Sequence, residues 1–165
     1  MDEIITRAEE LIHAAAGKGL RIALAESCTG GLVSNLLAGV SGASRVLWGA
    51  YIVYTPEAKT AMLGVDPAII KEHGAVSRET ALALAEGALR ESGADIAASV
   101  TGLAGPGGDG SGKPVGTVFM AGVRRAGGSA ESREYHFIGS RNGIRCEAAW
   151  ELIALLLRLS AAPPG

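Results

Sequence analysis

Apolar residues recur at helical spacing at the start of the chain, where Ile4, Ile5, Ala8, Leu11, Ile12 and Ala15 alternate with Glu3, Arg7 and Glu10. A helix is predicted there, closed by Gly17 and Gly19. The run Arg21-Ile-Ala-Leu-Ala is too short for a helix and stops at Glu26-Ser-Cys-Thr-Gly-Gly, which reads as a buried strand feeding a turn. Leu32, Val33, Leu36 and Leu37 resume the helical period until Gly39, so that turn lies between a strand and a helix N-terminus, a favoured place for chemistry. Val46 to Val53 is a second strand, and Thr55-Pro56-Glu57 has the order N-cap, proline at the first helical position and acid in the first turn. Asp66-Pro67 repeats this device before Ala68 to His73, and Ser77 caps a longer helix through Arg90.

Asp95 to Val100 is the third strand and runs into the glycine-dense segment from Thr101 to Pro114. Val115 to Val123 and Glu134 to Ile138 are predicted as a hairpin. From Arg141 the chain returns to helix, where Trp150, Leu152, Ile153, Leu155, Leu156, Leu157 and Leu159 cover nearly the whole circumference. Such a helix is either central or packed at a subunit interface, and a homo-oligomer is expected. The alternation of helices and strands with a late hairpin predicts an α/β three-layer sandwich, a single domain over residues 1–165 with a mixed, mostly parallel sheet. With 48% hydrophobic residues, 165 residues suffice for a core without disulfides or a structural metal, since a chain of this size buries about 70% of its unfolded surface.

Charge and cysteine usage remove several classes of function. Seventeen acidic and fifteen basic residues give a formal charge of −2, and no Lys/Arg stripe suggests nucleic-acid binding. Cys28 and Cys146 form no CxxC or Cys/His spacing, and His13, His73 and His136 stand on different elements, so no metal is expected. The acidic start Met1-Asp-Glu is unlike a signal peptide, and the Leu-rich tail is broken by Glu151 and Arg158, so a soluble, cytoplasmic protein without membrane association is expected. Gly105-Pro-Gly-Gly-Asp-Gly110 has the letters of a dinucleotide fingerprint but no helix after it. Gly107 to Lys113 imitates a phosphate loop, yet Pro114 stands where a Ser or Thr is needed to bind magnesium. Both matches are accidents of glycine content, and no GxSxG elbow is present.

One constellation survives. Ser27, Cys28 and Thr29 place three potential nucleophiles at the mouth of a strand, although Ser and Thr are also ordinary N-cap residues. Lys59 falls in the first turn of the helix opened by Thr55-Pro56, where the helix dipole disfavours an ammonium. That position suits a general base for a serine, as in Ser-Lys acyl-transfer enzymes, and a solvated surface lysine is the alternative. Adjacent residues leaving a strand point to opposite faces, so only one of Ser27 and Cys28 should meet a substrate, and a thiol hydrolase built on Cys28 is the rival chemistry.

Five segments stand in order at matching intervals: Ala25-Glu-Ser-Cys-Thr-Gly-Gly, Tyr54-Thr-Pro-Glu-Ala-Lys59 with Leu63-Gly-Val, His73-Gly-Ala-Val-Ser, Thr101-Gly-Leu-Ala-Gly-Pro-Gly-Gly, and Lys113-Pro-Val-Gly-Thr. Over almost the entire chain they resemble the C-terminal domain family of the competence/damage-inducible protein CinA, whose characterised members are nicotinamide-nucleotide amidases. The resemblance implies conversion of nicotinamide mononucleotide to nicotinate mononucleotide and ammonia, a pyridine-nucleotide salvage step without metal or organic cofactor. It also implies Ser27 as nucleophile, Lys59 as base and Tyr54 as a supporting hydroxyl. Thr101, Gly102, Ala104 and Gly105, with Arg141 and Arg145, would bind substrate, and the amides of Thr29, Gly30 and Gly31 would receive an oxyanion, worth roughly 3 to 4 kcal/mol per donor. Thr55-Pro56 replaces a common Ser-Asn and keeps the capping hydroxyl, while Ser140 replaces an Asp common before Arg141. Larger family proteins carry an additional N-terminal domain; none is expected within these 165 residues. A nucleotide-binding module without catalysis is the alternative from another class.

Overall fold

The computed structural model describes residues 2–163. The chain runs α1 (Asp2–Gly17), β1 (Ile22–Glu26), α2 (Leu32–Ala38), β2 (Leu47–Ile52), α3 (Pro56–Leu63), α4 (Pro67–His73), α5 (Arg78–Ser92), β3 (Ile96–Gly102), β4 (Thr117–Arg124), β5 (Ala130–His136) and α6 (Arg141–Ala161). The strands form one sheet in the order β2-β1-β3-β4-β5. β1 pairs parallel with both β2 and β3, and the β3–β4 and β4–β5 pairings are antiparallel, so β4 alone runs against the other strands. The expected α/β sandwich with a mixed sheet is the observed fold.

Strand polarity alternates to feed two cores. Ile22, Leu24, Ile96, Ala98, Val100, Val118 and Met120 face α1, α2 and α6, whereas Ala23, Ala25, Ala97, Phe119, Ala121 and Val123 face α5 and the α3 region. Sheet residues on the α5 side are mostly alanines, which lets that helix lie close. The three predicted caps form: Thr55 Oγ1 accepts from Ala58 N, an Asp66 carboxylate oxygen from Ala68 N and Ser77 Oγ from Thr80 N. α6 lies centrally, burying Ile144, Ala148, Ala149, Leu152, Ile153, Leu155, Leu156 and Leu159 against the sheet, α1 and α2. Its apolar circumference is therefore covered largely within the chain, which removes the observation that suggested an oligomer. Its C-terminal carbonyls are met by cations: Arg124 donates to Leu159 O and Ala162 O, and Lys18 to Ser160 O.

The last strand corrects the sequence reading. β5 begins at Ala130 rather than Glu134 and ends at His136 rather than Ile138. It is an edge strand with a solvated face, so Glu131, Arg133 and Glu134 belong to it and mask the apolar alternation. Ile138, expected inside the strand, is 99% exposed beyond it. The smaller shifts elsewhere are of one or two residues at element ends.

One topological consequence positions the site. The connection after β1 leads outward to β2 through α2, and the connection after β3 leads the other way to β4. Neighbouring strands whose connections diverge leave a crevice beyond their carboxyl ends, the usual ligand position in open α/β sheets.

Candidate active site

The turn after β1 and the glycine segment after β3 open onto a cleft of about 440 Å³ at that crevice. Its walls include Ser27, Tyr54, Lys59, Thr101, Asp109 and Arg141, with the backbone of the Gly102–Gly105 stretch and of Gly107 and Gly108 between them. A Cβ placed on Gly107 or Gly108 would meet nothing within 4 Å, so bare backbone faces open space there. Elsewhere in the segment glycine answers a steric demand: a Cβ on Gly102 would press on Val118 Cγ2 at 2.6 Å. Thr101 is buried, and its hydroxyl donates to Ala75 O at 2.8 Å, which ties the strand end to the loop before α5.

Lys59 is the largest fully buried side chain among the described residues, at 1% exposure, although it is a lysine. Its Nζ donates to Val53 O at 2.8 Å and lies 2.9 Å from Ser27 Oγ. No carboxylate hydrogen-bonds or pairs with it among the described residues. Burial lowers its pKa from 10.5 to about 8, because an ammonium out of water loses its hydration. Burial is thus the main cause, opposed by the nearby Cys28, and the alternative of a solvated surface lysine does not hold.

Cys28 also borders the cleft, but its side chain serves the core. It packs with the core residues of α1, α2 and α6, and burial pushes its thiol up to about 11. A thiolate, the reactive form, is therefore disfavoured at neutral pH. Ser27 points to the lysine and Cys28 to the opposite core, as alternation at a strand end requires.

Glu26 is the functional residue that sequence reasoning missed. Neither Ser27 nor Thr29 caps α2; the N-cap is Gly31, in the left-handed region at φ 95° and without a side-chain cap. The fully buried Glu26 carboxyl accepts instead from Gly31 N at 3.0 Å, Val33 N at 3.1 Å, Ser34 N at 2.8 Å and the Thr29 hydroxyl at 2.7 Å. The available signal was an acid ending an otherwise apolar strand, since a glutamate is almost never fully buried without a partner.

This cap changes the expected role of the turn amides. Gly31 N is spent on Glu26, Gly30 N donates to Ser27 O, and Ser27 N donates to Val100 O. Of the Thr29 to Gly31 amides expected to receive an oxyanion, Gly30 and Gly31 are therefore committed elsewhere. The two arginines also separate. Arg141 walls the cleft, donating to Gly105 O and, at 2.8 Å, to Tyr54 Oη. Arg145 does not line the cleft; it donates to Thr29 O at 2.7 Å and to Asn142 Oδ1 at 3.3 Å. Tyr54 lines the cleft, but its hydroxyl engages Arg141 rather than the Ser27–Lys59 pair. Ser140 caps α6, accepting from Gly143 N at 3.2 Å, and so does locally what an aspartate there would do. No group of three His, Cys, Asp or Glu side chains able to hold a metal occurs among the described residues. No helix among them is long and apolar enough to cross a membrane.

A three-layer α/β domain with a buried serine–lysine pair at a topological switch point is the class that fold and site define. Comparison with known proteins gives the family: the model of the CinA C-terminal domain matches residues 5–160, and the chain belongs to that family. A putative competence-damage inducible protein of Caldicellulosiruptor bescii is 48% identical over 137 residues, covering 83% of this chain and 33% of the relative. A CinA-like protein of Geobacter sulfurreducens is 44% identical over 153 residues, covering 90% and 37%. The chain thus spans about a third of the length of the curated relatives it matches. Among solved structures, the competence/damage inducible protein CihA from Agrobacterium tumefaciens superposes with a TM-score of 0.91 at 39% identity, covering 94% of each chain. A CinA superfamily protein from Klebsiella pneumoniae does so at 0.92 and 30%, covering 96% of this chain and 98% of that one.

Proposed function

We propose that this domain is an amidohydrolase that converts nicotinamide mononucleotide to nicotinate mononucleotide and ammonia through an acyl-enzyme on Ser27. The observation that carries the reading is the buried Lys59 amine, 2.9 Å from Ser27 Oγ and without a carboxylate partner. A lysine can accept a proton near neutral pH only where its charge is disfavoured, and burial supplies that condition. With one N–H donated to Val53 O, the amine in its neutral form has its lone pair free to accept the Ser27 O–H.

Ser27 Oγ attacks the carboxamide carbon while its proton passes to Lys59. The tetrahedral intermediate collapses as the C–N bond breaks, and the Lys59 ammonium returns the proton to departing ammonia. Water then hydrolyses the ester by the same relay. The oxyanion falls to the Thr29 amide and the backbone of the glycine segment opposite, because the neighbouring turn amides are committed. Arg141 is the guanidinium on the cleft wall and the natural partner for the substrate phosphate, with bare amides beside it.

Incubation of the purified protein with nicotinamide mononucleotide, followed by mass analysis and ammonia assay, tests this reading. A product one mass unit heavier, with equimolar ammonia, supports it. Binding of the mononucleotide with no ammonia would make the domain a binding module and refute the amidase.

A further inference from the structure

The Ser27–Gly31 turn is gripped from two sides by opposite charges. From within the sheet, Glu26 collects N–H groups of Gly31, Val33 and Ser34 and the Thr29 hydroxyl. From α6, Arg145 donates to the Thr29 carbonyl at 2.7 Å, which also accepts from Leu32 N at 3.2 Å, and the Arg145 Nη2 lies 3.8 Å from where a Cβ on Gly30 would stand. Donors of the turn thus go to a carboxyl and an acceptor goes to a guanidinium, which leaves little freedom to the residue they flank. Ser27 is that residue, and its hydroxyl must stay within hydrogen-bond reach of an amine that α3 holds independently.

We propose that Glu26 and Arg145 are positioning residues which clamp the nucleophile turn, and that Arg145 acts in this way rather than as a ligand of the substrate. The proposal rests on the amidase reading for its kinetic consequence, and on the turn alone for its structural one. Arg145 is absent from the cleft wall, and the Thr29 carbonyl it binds lies on the α6 side of the turn. Glu26 cannot be replaced by its neutral isostere without loss. In a glutamine the amide nitrogen must stand near one of the two oxygen positions, and both face N–H donors: Oε1 meets Ser34 N, and Oε2 meets Gly31 N, Val33 N and the Thr29 hydroxyl.

Cys28 supplies a reporter of the clamp that does not depend on catalysis. It is buried in the gripped turn, whereas Cys146 is exposed. In a Cys146→Ser background, alkylation of the protein reads the opening of the turn directly. Arg145→Met, which keeps the aliphatic stem, is expected to lower kcat about tenfold and to accelerate Cys28 alkylation about fivefold, with the calorimetric Kd for nicotinamide mononucleotide, read in a Ser27→Ala background, unchanged. Glu26→Gln should act in the same direction with a larger loss, about 100-fold in kcat.

Weakened mononucleotide binding in Arg145→Met with Cys28 still protected would overturn the proposal and make Arg145 a substrate ligand. Unchanged kcat, Kd and alkylation would overturn it as well. If Glu26→Gln does not fold, the partly exposed Arg145 decides the matter. A wild type that releases no ammonia removes the amidase reading, and the alkylation rates still decide whether the turn is clamped.

Discussion

Replacing Lys59 by methionine separates what its burial does for chemistry from what it does to the fold. In the folded protein the amine has its pKa lowered from 10.5 to about 8. At pH 7 about a tenth of the molecules then hold it neutral, against roughly one in 3,000 for an ordinary lysine. The same shift is a cost to stability. Between about 8 and 10.5 the unfolded chain binds a proton that the folded chain does not, so stability rises with pH through that window. Below it the buried amine costs the fold about 3 kcal/mol, offset in part by its bonds to Val53 O and Ser27 Oγ. Methionine fills the volume and abolishes the titration, leaving Val53 O unpaired by a fixed amount at every pH. Urea unfolding of both proteins should show the wild type gaining about 2 kcal/mol on Lys59→Met between about pH 7 and pH 9.5. In parallel, wild-type kcat/KM should rise along an acidic limb centred near the pKa of about 8. A stability difference that is flat with pH would refute the reasoning, because the amine would then titrate alike in both states.

Four further outcomes are expected. Ser27→Ala should abolish ammonia release while Cys28→Ala keeps most of it, because burial pushes that thiol up to about 11; inactivation by the cysteine change alone would reverse the assignment. Lys59→Arg should be nearly inactive at every accessible pH, since a guanidinium does not surrender its proton; a rate measurement from neutral to alkaline pH checks this. Prolonged chelation should leave turnover intact, and loss of activity restored by zinc or manganese would disclose a metal. Gly116→Ala should cost about 3 kcal/mol in thermal unfolding, because the added Cβ would collide with the Phe137 carbonyl and φ is +97°; an unchanged melting temperature would contradict that contact.

Much of this arrangement was legible in local patterns. Apolar runs marked β1, β2 and β3, and Thr55, Asp66 and Ser77 announced their helices because capping acts over two or three residues. Lys59 stood out by lying at the wrong end of a helix. What the pattern concealed was non-local. The Glu26 cap precedes its helix by a whole turn of irregular chain, so it lacks the capping-box spacing. β5 was obscured because an edge strand carries charge on its open face. The division between Arg141 and Arg145 depends on which distant segment each one reaches, Tyr54 and Gly105 for the first and Thr29 for the second, and spacing along α6 does not encode that.

α6 carries Arg141 at one end and is held by Arg124 and Lys18 at the other, a rod about 30 Å long that is largely buried from Ala148 onward. Opposite it, the Gly107–Gly112 stretch is exposed, and its side-chain hydrogen bonds are confined to Asp109 and Ser111. Amide hydrogens along Leu152–Leu156 should therefore be among the last to exchange with deuterium and those of Gly107–Gly112 among the first. The cleft is thus walled unequally, by a hydrogen-bonded nucleophile turn and Arg141 of α6 on one side and a sparsely bonded glycine segment on the other.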